Sequence, residues 1–495
     1  MTWGDALPWL VALPWTGAVA TLALGARGPR VAGGLAWIVL IATTALAVGP
    51  VLEVARHGPF SYALGGWPAP YGVELRFDHF SAWVLPLALL FVLIVPFSWR
   101  YLEGTIPHER QAPFYALLLL NAGAMIGFTI SADLFNLFVF MEVVSLSSYA
   151  LVAIAGRGLA AWAALKYLLI GAVASMLMLL GVTFVFVLTG SVNLADVTAR
   201  LAAGVDPVPA ATAIALLATS FLVKAALFPL HVWLPDAHAI APSPVSAVLS
   251  GMVVKIGIVG LIRLYQLAYG SAAFEMAGVN MLLVWVGAIA IVMGAFLAMV
   301  QNDIKLMLAY STISNVGYIV MGLALASPYA AIGGVAHVFN HALIKVTLFL
   351  AAGALIHATG FRTLTDLSGV ARAMPYTAAT MAIGAISIVG LPPTAGFVCK
   401  WYIALGAFQA RQAGFGFALV FGALLIFVYY VRMLNALYFK PALHDAVRNA
   451  TEVPWSMRAP MLLAALACLV MGVLGGVPLS FVEPAVLDML PAWGP

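Results

Sequence analysis

The sequence predicts an all-α polytopic membrane protein of about fourteen transmembrane helices. Its composition, the recurrence of long apolar runs and two matched proline interruptions carry that prediction. Of 495 residues, 64% are hydrophobic and 8% charged, where an ordinary globular domain has about 25% charged. Apolar runs fall at 5–25, 31–52, 79–99, 113–130, 133–155, 161–188, 209–234, 242–268, 279–300, 304–325, 330–357, 375–407, 413–438 and 460–482. Each is long enough for one crossing at roughly 20 to 25 residues. The first run lacks a basic flank and a clear cleavage site, so it reads as a retained span and not a signal peptide. The polar stretch 53–78, with "GWPAPYGVELRFD", is expected to form a short hairpin on the membrane surface. A charged loop at 440–459 sets the last helix apart.

Several functions are excluded early. Cys399 and Cys468 are too few for a structural zinc site, an iron–sulfur cluster or a disulfide framework. No phosphate-cradling glycine motif is present, so no cofactor and no nucleotide site are expected. The net charge of +4 comes from basic residues scattered through apolar sequence, without the patch that nucleic acid requires. A partner or an ion gradient must therefore supply any driving force.

Basic loop residues set the expected orientation. With the first helix starting outside, the inward loops hold Arg27, Arg30, Arg100, Arg110, Arg157, Arg362, Arg372, Lys440, Arg448 and Arg458. The outward loops hold Arg56, Arg76, Arg200, Arg263 and Arg411. That asymmetry places both termini on the outer side of the inner (cytoplasmic) membrane.

The remaining basic residues are Lys166, Lys224, Lys255, Lys305, Lys345, Lys400 and Arg432, all within or at the edge of apolar runs. Lysine is thus concentrated where arginine is nearly absent. Arginine stays charged, whereas a buried lysine exchanges its proton far more readily. A central charge costs about 2.5–3.5 kcal/mol even on lenient insertion scales, so repeated lysines point to an ion pathway or proton relay. Among the acids only Glu142 lies well inside a run, and it is expected to pair with Lys224 or Lys166. A static structural ion pair is the alternative.

"FLVKAALFPLHVWLPDAHAIAPSPVSAV" places Lys224 five residues before Pro229, whose ring crowds the carbonyl of Ala225. The helix is expected to break beside the lysine and expose backbone dipoles. "GLPPTAGFVCKWYIAL" repeats the arrangement with Pro392, Pro393 and Lys400. An offset of five helices between the two breaks implies halves of opposite orientation. The other reading makes the prolines mere kinks or span ends. In "GGVAHVFNHALIKVTLFL", His337, His341 and Lys345 follow at steps of four, spanning roughly 12 Å along one helix face. No third ligand completes a metal site, so these are a titratable ladder or core histidines that hold neighbouring helices. His231 and His238, flanking Asp236, suit the water-accessible mouth of a path, or interfacial positions with no task.

"SFLVKAALFPLHVWLPDAHAIAPSPVSAVLSGMVVKIGIVGLIR", "QNDIKLMLAYSTISNVGYIVMG", "HVFNHALIKVTLFLAAGAL" and "SIVGLPPTAGFVCKWYIALGA" closely resemble the proton-translocating antiporter-like membrane subunits. That family comprises the large subunits of Mrp-type cation/proton antiporters, respiratory complex I (NADH:quinone oxidoreductase) and membrane-bound hydrogenases. The resemblance runs from about residue 75 to 440. It implies N-terminal helices 1–3 with the hairpin over 1–112, inverted five-helix repeats at 113–268 and 279–438, broken helices 7 and 12, and a last helix within 439–495. By the same resemblance Glu142 is the acid of the fifth helix and Lys224 its partner in the seventh. Lys255 is then the eighth-helix relay residue, His337, His341 and Lys345 the eleventh-helix relay, and Lys400 the terminal lysine of the twelfth. Lys166 is expected to modulate the Glu142–Lys224 pair, and Lys305, close behind Asp303, to form a loop-end ion pair.

Lysine at Lys400 resembles the D subunit of Mrp systems and two of the complex I subunits, the lack of a long lateral helix after the fourteenth span disfavours the largest complex I subunit and the Mrp A subunit, and the stretch "GFVCKWYIALGA" looks most like the D subunit of Mrp systems and its hydrogenase relatives. Cys399 departs from the serine expected there, but a buried cysteine is a small apolar residue and changes little. The expected function is proton conduction within a multisubunit membrane complex embedded in lipid, with any sodium site mainly in a partner subunit. A proton-pumping subunit of a redox complex is the near alternative. A self-sufficient carrier for an organic solute, or a scaffold whose charges only specify packing, are the more distant ones.

Overall fold

The computed structural model describes residues 3–25, 27–156 and 158–489. Arg157, counted above with the inward loops, lies outside the described residues. Among the described residues, 13 helices are long and apolar enough to cross a membrane. A further crossing is split into two short helices, which accounts for the fourteenth expected from the apolar runs. In chain order the crossings are α1 (Leu7–Gly25), α2 (Pro29–His57), α3 (Val84–Tyr101), α4 (Gln111–Ile130), α5 (Leu134–Ala153) and α6 (Gly158–Thr189). There follow α7a (Pro207–Lys224) with α7b (Trp233–Ile240), α8 (Ser243–Ala268), α9 (Val279–Met299), α10 (Ile304–Ala324) and α11 (Pro328–Thr359). The series closes with α12a (Pro375–Val389) and α12b (Ala395–Gln409), α13 (Ala413–Phe439) and α14 (Trp455–Val473). The run 460–482 is not one helix: α14 ends at Val473 and a separate helix, Gly476–Met489, follows.

A helix that is apolar all round belongs in the middle of a bundle. The apolar window of α8 is wholly buried, and α11 packs against α3, α8, α10, α12a, α12b and α14. By contrast α6 presents Leu165, Leu169, Val173, Met176 and Leu180 on its exposed side, the face that meets lipid or a neighbour.

The expected surface hairpin is present. Strands β1 (Phe60–Ala63) and β2 (Glu74–Phe77) pair antiparallel, and β2 continues onto the turn between α4 and α5 through a Leu75–Ser131 bridge. The Glu74 carboxylate also accepts from Asn193 Nδ2 at 2.8 Å.

Asp133 and Asn193 form an isolated antiparallel bridge, and so do Asp303 and Thr363, each 170 positions further on. In both places the aspartate caps the next helix, Asp133 through Asn136 N (2.7 Å) and Asp303 through Lys305 N (2.8 Å). The helices α6 and α11 that follow have the same length, 32 residues. One chain pattern thus recurs, with five crossings, α4 to α8 and α9 to α13, on each side of the joint.

Arg263 corrects the loop assignment made from sequence. It lies inside α8, buried, with its guanidinium against the Asp78 carboxylate just ahead of α3. The same guanidinium donates to Ser81 Oγ (3.2 Å) and to Gln266 Oε1 (2.7 Å). Removing Arg263 from the outward set only strengthens the loop asymmetry. Burial pushes the Asp78 carboxyl up, but Arg263 and Ser81 pull it down further, leaving it below the ordinary aspartate value.

Breaking one side of such a buried pair leaves an uncompensated charge, so Arg263→Leu is expected to cost about 3–5 kcal/mol. The double variant Arg263→Leu/Asp78→Asn should recover most of it, as read by thermal unfolding in detergent. With the folded-state pKa of Asp78 below its unfolded value, the pair's contribution is complete above the unfolded value. It fades as pH falls through the folded one, so the gap between wild type and double variant should narrow in strong acid.

Candidate functional site

The first break forms as the proline pattern requires. Helix α7a ends at Lys224, Ala225 caps it, and Ala226 takes a left-handed conformation (φ 53) that costs strain in any residue with a Cβ. The indole of Trp233 donates to the Val223 carbonyl at 3.0 Å, satisfying one of the groups the break releases. Lys224 Nζ lies 3.9 Å from Glu142 Oε1. Ser175 on α6 joins the two: its hydroxyl donates to Glu142 Oε1 and accepts from Lys224 Nζ at 3.2 Å. The lysine also donates to Ser145 Oγ at 2.7 Å. Glu142 itself remains about one-third exposed on the chain's surface (32%).

Lys166 does not reach Glu142. It pairs with Asp236 on α7b at 2.6 Å, a carboxylate that the apolar runs had left outside the spans. Lys305 likewise departs from expectation. Asp303 is taken by Arg362 at 2.7 Å, and the buried Lys305 ammonium donates instead to the Ala241 carbonyl.

In the middle of the bundle α8 opens into one π-turn, Leu249–Val253, immediately before Lys255. A π-turn displaces carbonyls from their regular partners, and Lys255 Nζ donates to Ser250 O at 2.5 Å. Its second contact is His341 Nδ1 at 2.9 Å. The rings of His341 and His337 are 5.6 Å apart, and His337 Nε2 meets Asn315 Oδ1 at 3.2 Å. One turn beyond His341, Lys345 donates to Leu308 O at 2.9 Å. His337, His341 and Lys345 thus line up along α11 as the four-residue spacing indicated, all fully buried.

The second break places Lys400 against the end of α12a. Its ammonium donates to Ile388 O (2.7 Å) and Val389 O (3.3 Å) and sits 4.5 Å from the centre of the Tyr318 ring. Tyr318 also meets His337 edge to face, with ring centres 6.3 Å apart. Gly390 caps α12a in a left-handed conformation (φ 89), and a Cβ on Gly396 would lie 1.9 Å from Ser387 O. Only glycine lets the two half-helices close this tightly. Asn340 ties α11 to α12b by donating to Ala395 O (3.0 Å) and to the buried Cys399 sulfur (2.9 Å).

The predicted residues therefore gather, with neighbouring polar side chains, into groups joined by hydrogen bonds and ring contacts and not one continuous wire. Glu142, Ser175, Lys224 and Ser145 make the first. Lys255, His341, His337 and Asn315 make the second, and Lys400 with Tyr318 the third. Among the described residues no hydrogen bond or ion pair joins Lys224 to Lys255. His231 is buried and stacks on Phe228 at 5.0 Å, beside the first break. His238, expected at a water-accessible mouth, is wholly buried, because α7b turns it inward against α11. Ser175, Asn315 and Tyr318 were not singled out from sequence. Their only signal was polarity inside otherwise apolar helices.

Residues 131–426 match the family described as NADH:quinone oxidoreductase/Mrp antiporter, TM. The chain belongs to that family. It is 38% identical over 458 residues, 90% of each chain, to the N subunit of the NADH-quinone oxidoreductase of Desulforudis audaxviator (strain MP104C). The D subunit of the Na(+)/H(+) antiporter of Bacillus subtilis (strain 168) is 30% identical over 78% of this chain and 79% of its own. The Mrp complex from Dietzia sp. DQ12-45-1b contains a chain that superposes with a TM-score of 0.89 at 26% identity, covering 100% of this chain and 98% of that one. This antiporter-like membrane subunit thus has homologues in both Mrp and complex I-like assemblies.

Gly396→Ala should destabilise the protein by about 1–3 kcal/mol through overpacking against Ser387. Gly414→Ala, where a Cβ meets nothing within 4 Å, should stay within about 0.5 kcal/mol. Thermal unfolding of the two variants in detergent checks the contrast.

Proposed function

We propose that this chain is the proton-conducting subunit of a multisubunit cation/proton antiporter of the Mrp type in the cytoplasmic membrane, with both termini outside. The carrying observation is that Lys255, Lys345 and Lys400 are held by backbone carbonyls, with no carboxylate among the described residues bonded to any of them. A carbonyl dipole steadies an ammonium without the full counter-charge that would lock its proton in place. Protonation at Lys224 alters its attraction to Glu142, and the change passes through Lys255, His337, His341 and Lys345 to Lys400. His231, Lys166 and Asp236 shape the field at the first break. In this reading 113–268 and 279–438 are inverted repeats that each contribute one half-channel.

The magnitudes suffice. A unit charge crossing the membrane field is worth about 2.3 kcal/mol per 100 mV, comparable to less than two pKa units at about 1.36 kcal/mol each. Sodium suits this path poorly, because a hard cation wants several oxygen ligands and the lysine-rich interior offers few, so its site belongs to a partner subunit. A second reading, the proton-pumping subunit of a redox complex, is favoured by the 38% identity to an NADH-quinone oxidoreductase subunit. Sodium-gradient-driven proton movement by the assembled complex without an electron donor supports the first reading, and strict dependence on a donor supports the second.

Lys224→Ala in the assembled complex should abolish gradient-coupled proton transport while leaving assembly intact. Lys224→Arg should fail to restore it, because a guanidinium does not release its proton. Normal transport by either variant in proteoliposomes would count against the relay.

A further inference from the structure

Lys345 stands outside the three groups described above, yet a pair of hydroxyls lies between it and Lys255. Ser250 is in the π-turn of α8 and Thr312 in the middle of α10, both wholly buried. Their oxygens are 2.7 Å apart. The Ser250 carbonyl takes the Lys255 ammonium at 2.5 Å. On the other helix Thr312 Oγ1 and Lys345 Nζ both lie 2.9 Å from one acceptor, the Leu308 carbonyl. The two lysines thus meet opposite ends of one short polar chain.

The internal repeat marks the same place. From the two capping aspartates to the ends of the two 32-residue helices, α5 with α6 and α10 with α11 correspond at a constant 170 positions. In that register Thr312 occupies the place of Glu142, and Lys345 that of Ser175. The first half therefore carries its charge on α5 and its hydroxyl on α6, and the second half the reverse. Where Glu142 meets Lys224 through Ser175, Lys345 faces Lys255 across Thr312 and Ser250.

A hydroxyl has one proton to donate. Thr312 gives it either to Leu308 O or to Ser250 Oγ, and Lys345 competes for the first of these. A protonated Lys345 claims the Leu308 carbonyl and turns the Thr312 hydroxyl toward Ser250. A neutral Lys345 is the weaker donor, so Thr312 returns to Leu308 O and Ser250 donates to Thr312. In a dry interior such a reversal of dipoles is felt strongly by a neighbouring charge. We infer that Ser250 and Thr312 form a two-position hydroxyl switch that couples the charge of Lys345 to that of Lys255. No proton crosses the pair. What passes is the orientation of two O–H dipoles beside the carbonyl that holds Lys255, so both are positioning residues. The inference rests on the relay reading above and supplies the link by which the two central lysines act together.

Replacing both hydroxyls by apolar groups of similar shape strands neither partner and is close to neutral for folding. In the whole complex, Ser250→Ala/Thr312→Val should therefore keep its assembly and its thermal unfolding. Its gradient-coupled transport in proteoliposomes should fall about tenfold, as expected for lost coupling between two sites. Thr312→Val alone should slow transport likewise, and Thr312→Ser, which restores the switching proton, should recover most of the loss. A pair that only packs α8 against α10 predicts normal transport by the apolar double variant. That result, or a Thr312→Ser complex as slow as Thr312→Val, overturns the switch. Should the double variant not assemble, Ser250→Ala stands in for it, with the same expected loss and the same overturning result. If Lys224→Ala is inactive in the same preparations while the double variant is unimpaired, the relay stands and only the switch falls; if Lys224→Ala is active, both fall.

Discussion

Backbone carbonyl oxygens hold four ammonium groups in the interior of this bundle, and most of the irregular features of the fold follow from that. Lys255, Lys305, Lys345 and Lys400 donate to Ser250, Ala241, Leu308 and Ile388 respectively. A regular helix has few carbonyls to spare, since each already accepts from the amide four residues on. The π-turn before Lys255, the end of α7b at Ala241 and the gap between α12a and α12b each supply one. A lysine in such a place is solvated by a dipole and meets no full counter-charge.

The contrast with Arg263 shows the other solution to the same problem. There a permanent cation is matched by a buried carboxylate and further polar partners from the α3 approach. That pair neutralises completely and serves to anchor α8 beneath the surface hairpin. Glu142 and Lys224 lie between these extremes, separated by 3.9 Å and bridged through Ser175. Their attraction is real but incomplete, and Glu142 stays partly open at the surface of the chain. Charge is thus balanced where the fold needs rigidity and left under-balanced along the proposed path.

Much of this was legible in the sequence. The crossings were set by runs of apolar residues, the breaks by Pro229 and by Pro392 with Pro393, and the ladder on α11 by its four-residue spacing. These depend on local chemistry, since hydropathy, the missing amide of proline and helical periodicity act over a few residues. Arg263 was misplaced because its partner, Asp78, is 185 positions away, and nothing local distinguishes a buried arginine near a helix end from one in a loop. Of the two partners weighed for Glu142 the fold supplies Lys224 and pairs Lys166 with Asp236, while Lys305, placed with Asp303 by sequence proximity, bonds to Ala241. Ser175 and Tyr318 carried no signal beyond a polar atom in an apolar helix.

What the sequence determined alone was therefore where the chain crosses, where it breaks and that lysines are enclosed. Only the tertiary structure decided what each ammonium touches. Bundle packing brings a carbonyl from one helix to a lysine on another, and such meetings depend on the relative depth and rotation of crossings far apart in the chain. The physical reason is range: backbone preferences are fixed by neighbours in sequence, whereas the field at a buried charge is summed over every group near it in space.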